Sequence, residues 1–420
     1  MTRPRPQRLP VVRYRPARRT DVETLAELEY RAYRVSSLEK RREFFLNHPR
    51  FTLRDVRVAE LDGEIAGALV LYPLTAYLCG DPRPVVGVGS VAVSPEHRRR
   101  GVAEAFMRAA LREMRQKGQA LSMLYPFRLS FYRKFGYGLV EHVHVFSTPA
   151  SNFLPSDEAR RVRRLRHPDR PHVQALYDRV APRWNFALAR KPEWWEQRLW
   201  TYPGEWAVYE GRRHGLIEGY LYYEIAVPEG PFKLQMTVME MLAATPEAQR
   251  GLVGYIASLA DQVAQVHTAS PADSVLLSLL RSPHTLEDSV DLGGFTEAGT
   301  LHTGAMLRLV DVRAALEARP AGGNGRGVIA LEVEDEILPQ NARAFGLSVK
   351  DGRFHVSNEP GRRAPRLRCG VDVLAQIYGG ALSPTAAARA GIVSAAGNAA
   401  ELAESWFRAP AAFLFQLNHF

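Results

Sequence analysis

Arg98, Gly101 and Ala103 have the spacing of an anion-binding site. They lie in SVAVSPEHRRRGVAEAFM (residues 90–107), where an alternating apolar run precedes three arginines, a glycine and a helical pattern. A helix that opens here points unpaired N–H groups and its positive dipole end outward. Gly101 and Ala103 leave room for an anion, and the arginines add charge-assisted hydrogen bonds. The spacing predicts a phosphate site, although an ordinary helix start with a basic surface has the same pattern.

A second glycine pattern, Gly87-x-Gly89-x-x-Ala92, has the letters of a dinucleotide-binding fingerprint. It lies inside an apolar strand, whereas the fingerprint needs a turn that opens a helix. We therefore assign both glycines to a strand with weakened pairing, which could separate from its neighbour and expose unpaired amides. No Gly-x-x-x-x-Gly-Lys-Ser/Thr loop occurs in the sequence, so hydrolysis of a nucleoside triphosphate has no support.

The elements around these residues alternate between strands and helices. Residues 11–33 pass from a short strand into an amphipathic helix, and Asp62-Gly63 marks the turn of a hairpin. The strand that contains Gly87 leads to the helix after Gly101, which has one apolar face. The strand ALSMLY, a short helix in FYRKFGYG and a final strand complete an α/β unit.

The same order of elements recurs after STPASNFLPSDEARR (residues 147–161), which is predicted to be a linker because of its polar and proline-rich composition. In the second half, Gln249 falls on the position of Arg98 and Leu252 on the position of Gly101. A leucine there would crowd an anion, so we expect this half to bind no cofactor. After the flexible segment AGGNGRG, the last part of the chain matches neither half.

The 420 residues are enough for about two to four domains, and we predict boundaries at 1–150, 151–305 and 306–420. The formal charge of +10 favours polyanionic partners, either nucleic acid, an acidic surface or a phosphate-bearing cofactor. No apolar run has the length of a membrane span and no signal peptide is evident, so we expect a cytoplasmic protein. His142-x-His144 lacks an evident third ligand, and we expect no metal.

The element order, with HRRRG and FYRKFGYG at these places, resembles the GNAT acetyltransferase fold, whose acyl-coenzyme A site has the pattern Arg/Gln-x-x-Gly-x-Gly/Ala. The repeated half, the segment MLRLVDVRAALEARP and a terminal phenylalanine resemble more narrowly the Eis (enhanced intracellular survival) family of N-acetyltransferases. The resemblance covers nearly the whole chain. It implies an α/β (α+β) protein with two tandem GNAT-like domains, the second degenerate, and a C-terminal sterol-carrier-protein-like α/β domain. It also implies acetyl-CoA as co-substrate and a homo-hexamer.

The resemblance assigns roles to individual residues. Main-chain groups of Val91 and Val93 would contact the pantetheine arm, and the pyrophosphate would be held by Arg98, Arg99, Gly101 and Ala103. Tyr132 would be the general acid, because a phenol with a pKa of about 10 suits a thiol with a pKa of about 8.5. The carboxylate of Phe420 would be the general base. Residues alone leave two alternatives open, namely that Tyr132 is a core tyrosine and that Phe420 only fills an apolar groove.

We therefore expect an acetyl-CoA-dependent N-acetyltransferase that acetylates primary amines directly in a ternary complex. The resemblance implies aminoglycosides or lysine side chains as acceptors. Val35 and His419 stand where some family members carry acidic groups, which argues against a preference for aminoglycosides. The alternative is a basic nucleic-acid- or lipid-binding protein with a non-catalytic acetyltransferase fold. No nucleic-acid recognition motif supports it, and we expect neither nucleic acid nor a membrane as partner.

Overall fold

The computed structural model contains three β-sheets, and it describes residues 11–34, 37–213, 215–227, 234–282, 297–323 and 325–420. The position of Val35 lies outside the described residues. The first sheet has seven strands, in the spatial order β1 (Arg13–Pro16), β2 (Val56–Leu61), β3 (Glu64–Leu78), β4 (Asp81–Val93), β5 (Leu121–Leu124), β14 (Met306–Leu309) and β6 (Gly138–Leu139). The helices packed around it are α1 (Val22–Tyr33), α2 (Leu38–Leu46), α3 (Val102–Gln116) and α4 (Leu129–Arg133).

The second sheet also has seven strands, in the order β13 (Thr300–Thr303), β7 (His142–Pro149), β12 (Val263–Pro271), β11 (Leu234–Ala243), β10 (Ile217–Ala226), β9 (Glu205–Glu210) and β8 (Val162–Arg164). Its helices are α5 (Arg170–Val180), α6 (Pro192–Gln197) and α7 (Pro246–Ala257). The third sheet is β17 (Arg353–Ser357), β16 (Ala344–Lys350), β15 (Val328–Glu334), β18 (Arg366–Gly370) and β19 (Ser394–Ala395). It packs with α8 (Val312–Ala318), α9 (Val371–Tyr378), α10 (Pro384–Arg389) and α11 (Ala399–Trp406).

Two features of the first domain follow from its local sequence, namely the turn between β2 and β3 and the extent of α3. Asp62 and Gly63 both have positive φ, of 55° and 87°, which is the backbone of a tight hairpin turn between β2 and β3. Helix α3 buries its apolar face, with Phe106 and Leu111 fully covered, and the chain leaves the helix at Gly118, whose φ is 70°.

The first two sheets exchange strands. Strand β14 inserts between β5 and β6, with Met306 paired to both Leu124 and Leu139. Strand β7 pairs with β12 and β13 in the second sheet. The predicted linker is therefore wrong at residues 147–149, which belong to β7, and Phe153 beyond them is buried. The domain boundaries given above stay a prediction, and sheet membership does not follow chain order at either of them.

The C-terminal tail leaves the third domain and runs between the other two. Phe413 N–H donates to the carbonyl of Asn185 over 3.1 Å, and Leu414 N–H donates to the Glu141 carboxylate over 2.7 Å. Phe413, Phe415 and Leu417 pack into the core of the second domain. This path carries the last residues to the first sheet. No helix in the described ranges is long and apolar enough to cross a membrane.

Candidate active site

A cavity of about 810 Å³ opens where the first domain, the second domain and the C-terminal tail meet. It brings together six of the eight site residues predicted from the sequence, namely Val91, Val93, Arg98, Ala103, Tyr132 and Phe420. Arg99 and Gly101 belong to the same turn but are not part of the lining. The cavity therefore combines most of the predicted cofactor residues with both predicted catalytic groups.

Strand β4 is irregular where it borders the cavity. Its pairing with β3 shifts register between Ala68 and Val70, and Ser90 opposite the shift has a φ of 50°. Strand β4 pairs with β5 at Val86 and Gly87, and the recorded pairing stops there. Beyond this point β4 still pairs with β3 at Gly89, Ala92 and Val93, but no pairing with β5 continues among the described residues, and residues 88–93 line the cavity. The carbonyl of Val91, however, already accepts a hydrogen bond from the Tyr33 hydroxyl over 3.0 Å.

The turn before α3 has the geometry of an anion site. Gly101 is the N-cap of α3 with a φ of 80°, and no side chain caps the helix. The first N–H groups of the helix are therefore left for another acceptor. Arg98 and Ala103 line the cavity beside them, and Arg98 Nε lies 3.4 Å from the Val93 carbonyl. Arg99 has a φ of 61° and is exposed, and it is not part of the cavity lining. These groups fit a pyrophosphate.

Gly87 and Gly89 lie directly against Phe420. A methyl group at Gly87 would be 2.6 Å from the Phe420 ring, and one at Gly89 would be 3.2 Å from the terminal carbonyl carbon and oxygen. Side chains at these positions would displace the end of the chain. The glycines thus make room for Phe420, a reason that the sequence pattern could not supply because the partner lies at the opposite end of the chain.

Asn418 anchors the tail through three buried hydrogen bonds. Its side-chain carbonyl accepts from Arg190 Nε over 2.8 Å, its amide donates to the Tyr177 hydroxyl over 2.8 Å, and its main-chain carbonyl accepts from Arg50 over 2.8 Å. Arg190 also forms a two-point ion pair with Glu240, and both side chains are fully buried. Because every partner is paired, the network fixes the direction of the last two residues.

Tyr132 is 3% exposed and lies among aromatic rings, with Phe127 and Phe131 edge-on at 5.5 Å and 5.0 Å. Burial, followed by the neighbouring Tyr33, raises the pKa of Tyr132 above its usual value of 10.0. The phenol therefore keeps its proton at neutral pH, and burial makes it a weaker acid than an exposed tyrosine.

Tyr125 is a second phenol in the cavity lining that sequence reasoning missed. Its ring lies 5.5 Å from the ring of Phe420, and burial raises its pKa well above 10.0. Its hydroxyl is buried without a hydrogen-bond partner among the described residues. A buried donor of this kind is costly unless a ligand satisfies it. The sequence feature that could have identified Tyr125 is its position at the end of strand β5.

Glu29 and His48 also line the cavity and were not singled out from the sequence. Glu29 is 1% exposed and accepts a hydrogen bond from Arg41 over 3.1 Å, while burial raises the pKa of its carboxyl. Burial and then Arg50 lower the pKa of His48 to about 3, so this imidazole is neutral. The sequence feature that could have identified Glu29 is a carboxylate on the apolar face of α1, between Leu25 and Ala32.

In the second domain, the start of α7 corresponds to the start of α3, but its space is filled by other residues of the protein. Thr245 caps α7 by accepting a hydrogen bond from Ala248 N–H over 3.2 Å. Leu252 is buried in the core, and a methyl group at Gly251 would be 2.5 Å from the ring of Tyr209. In the ranges that the structure covers, no three histidine, cysteine or acidic side chains are grouped to hold a metal ion.

Comparisons with known proteins agree with this architecture. Residues 13–140 and 187–309 each match a family described as an acetyltransferase (GNAT) domain, and residues 312–415 match the sterol carrier protein domain. The N-acetyltransferase Eis of Mycobacterium tuberculosis (strain ATCC 25177 / H37Ra) is 27% identical over 334 residues, which is 76% of each chain. An uncharacterized N-acetyltransferase of Streptomyces griseus is 28% identical over 69% of this chain and 71% of its own.

Solved structures share the whole fold. A GCN5-related N-acetyltransferase from Anabaena variabilis ATCC 29413 superimposes with a TM-score of 0.83 at 21% identity, over 98% of this chain and 100% of that chain. Eis1 from Mycobacterium abscessus superimposes with a TM-score of 0.77 at 24% identity, over the same shares.

The predicted fold class, two GNAT domains followed by a sterol-carrier-type domain, is confirmed. The protein is an acetyltransferase, and enzymes with this domain use acetyl-CoA as co-substrate. Sequence and fold therefore make this chain a tandem GNAT acetyltransferase that is similar to the N-acetyltransferase Eis of mycobacteria.

Proposed function

We propose that this enzyme transfers the acetyl group of acetyl-CoA directly to a primary amine in a ternary complex, without a covalent enzyme intermediate. The observation that carries the proposal is a single cavity lined by Arg98, Ala103, Tyr132 and Phe420. A phosphate-binding turn, a proton donor and a terminal carboxylate then act on one bound pair of substrates, which makes the reaction effectively unimolecular.

The turn before α3 holds the co-substrate in this proposal. Acetyl-CoA supplies an activated acetyl group as a thioester. Its pyrophosphate is bound by Arg98, Arg99, Gly101 and Ala103, and main-chain groups of Val91 and Val93 contact its pantetheine arm. The uncapped start of α3 and the early separation of β4 from β5 support this assignment.

In the proposed reaction Phe420 accepts a proton and Tyr132 donates one. The amine nitrogen bonds to the thioester carbonyl carbon and loses a proton to the Phe420 carboxylate, directly or through a water molecule. The carbon–sulfur bond then breaks, and the departing thiolate takes the phenolic proton of Tyr132. The raised pKa of Tyr132 keeps the phenol protonated at neutral pH but makes it a weaker acid, so this transfer depends on the phenol lying next to the departing sulfur. An α-carboxyl group has a pKa of about 3.5 in water, so its role as a base requires that it be desolvated or act through a water molecule.

The similarity to Eis supports further parts of the proposal. Aminoglycosides and lysine side chains are the two acceptor types that it implies, together with a cytoplasmic homo-hexamer that has neither nucleic acid nor a membrane as partner. Light scattering tests the assembly, because a monomer at working concentration would contradict a hexamer. A thermal shift with acetyl-CoA but not with DNA tests the class of ligand.

The catalytic assignment is tested by comparing two changes at the end of the chain. One glycine added after Phe420 moves the carboxylate by about 3.5 Å, so kcat should fall about a hundredfold. Phe420→Leu keeps the carboxylate and should lose far less activity. Tyr132→Phe should lower kcat while acetyl-CoA affinity stays nearly unchanged. If the extended enzyme keeps both its melting temperature and its full rate, the terminal carboxylate is not the base.

A further inference from the structure

The remaining lining of the cavity comes from α1, α2, β3 and α6 and forms an aromatic wall. We use this term for Phe44, His48, Tyr72 and Trp194. The ring of His48 lies 5.0 Å from Phe44, 5.7 Å from Tyr72 and 6.1 Å from Trp194, so the wall is continuous across the first two domains. Tyr72 lies 5.5 Å from the ring of Phe420, which places the wall next to the terminal residue.

Negative charge is scarce beside this wall. Glu29 is the acidic side chain among the described lining residues, and Arg41 already pairs with it over 3.1 Å. Burial lowers the pKa of His48 to about 3 and that of His419 to about 4, so both imidazoles are uncharged. The terminal carboxylate is then the remaining anion, and the proposed reaction uses it. Additional ammonium groups of an acceptor would lose their hydration without gaining a partner.

The aromatic faces are already occupied by arginines. The guanidinium of Arg50 lies 3.2 Å from the ring centre of Trp194, and that of Arg198 lies 5.7 Å from the same ring and 5.8 Å from Tyr202. These rings therefore already form cation–π interactions with arginines of the protein itself. A second cation from the substrate would meet positive charge, whereas the ring edges remain suited to a flat apolar group.

From this wall and its charges we infer that the natural acceptor is a small aromatic monoamine, with one primary amine on a flat apolar body, and not a polycation. The inference rests on the proposed function and narrows its acceptor class. The aromatic body would pack on the wall while the amine reaches the Phe420 carboxylate. Arg198, exposed at this edge of the cavity, would act as a specificity residue that repels polycations.

The test compares kcat/KM at low ionic strength for 2-phenylethylamine, a lysine peptide with a blocked N-terminus, and kanamycin. We expect 2-phenylethylamine to exceed both other acceptors by at least about tenfold, or 1.4 kcal/mol. A higher value for kanamycin or for the peptide would overturn the inference but leave the proposed function intact. Failure to acetylate any amine, with acetyl-CoA bound, would instead contradict the proposed function.

A charge reversal gives a second, independent readout. Arg198→Glu should raise the ratio of kanamycin to 2-phenylethylamine turnover by about tenfold or more, because a repulsive charge becomes an attractive one. Arg363→Glu, at an exposed position in the third domain, changes the net charge equally and should leave the ratio unchanged. An unaltered ratio in Arg198→Glu, or the same change in both variants, would refute the role of Arg198.

Discussion

Gly87→Ala tests the position of the terminal residue without replacing any residue to which a catalytic role is assigned. The new methyl carbon would lie 2.6 Å and 2.8 Å from two carbons of the Phe420 ring, whereas ordinary contacts begin at 3.4 Å. Relieving the closer contact moves the ring by about 0.8 Å. Leu74, at 2.7 Å from the new carbon, must also give way. The chain end is therefore expected to shift away from β4.

A displacement of about 1 Å at a reacting group costs roughly a hundredfold in rate. We expect kcat of Gly87→Ala to fall by about 10- to 100-fold, while acetyl-CoA affinity, which depends on the turn before α3, stays within about twofold. Overpacking should also cost about 1–3 kcal/mol of unfolding free energy. Steady-state kinetics, calorimetric titration with acetyl-CoA and thermal melting measure these three quantities.

Two further variants make the test specific. Gly361→Ala is the control, because a methyl group there would meet nothing within 4 Å. Adding Phe420→Leu to Gly87→Ala shrinks the displaced side chain and should restore part of the lost kcat. If Gly87→Ala lowers the melting temperature but keeps its full kcat, the position of Phe420 against β4 does not matter for turnover, and the reasoning fails.

Three further predictions concern the turn before α3, the tail anchor at Asn418 and the buried carboxyl group of Glu141. Gly101→Asp puts a carboxylate at the start of α3 and should weaken acetyl-CoA binding at least about tenfold in a titration, whereas Arg250→Ala on α7 should leave it unchanged. Asn418→Leu removes the side-chain bonds of the tail anchor, so kcat should drop at least about tenfold with little change in the KM for acetyl-CoA. Burial raises the pKa of Glu141 from 4.5 to about 7, so the folded state holds the extra proton and stability should decline as pH rises from 4.5 to 7. A Glu141→Gln variant should lose that part of the decline in melting temperature, and an unchanged profile would show that Glu141 does not titrate there.

The start of α3 could be predicted because its signal is local. A strand, a glycine that needs positive φ and a following amphipathic helix are adjacent in sequence, and the structure places them as expected. The hairpin at Asp62-Gly63 was predictable for the same reason.

The missed features depend on residues that are far apart in the chain. Gly87 and Gly89 are required by Phe420, and the tail is fixed by Asn418 bonding to Arg190 and Tyr177. Neither hydrophobic periodicity nor turn propensity gives information about contacts between residues so far apart in the chain. The exchange of β7 and β14 escaped prediction similarly, because strand patterns give the element but not the sheet that it joins.

The insertion of β14 into the first sheet also constrains how the chain folds during its synthesis. During synthesis, β5 and β6 emerge from the ribosome long before residues 306–309, so the first sheet has a vacant place between them until the second domain has been translated. Such a gap leaves unpaired strand edges on the nascent chain, and pairings of high contact order form slowly. We therefore expect the two GNAT domains to fold as one cooperative unit. Deleting residues 151–309 would remove β14 from the first sheet, and a second half that starts at residue 151 would lack β7 of its own sheet.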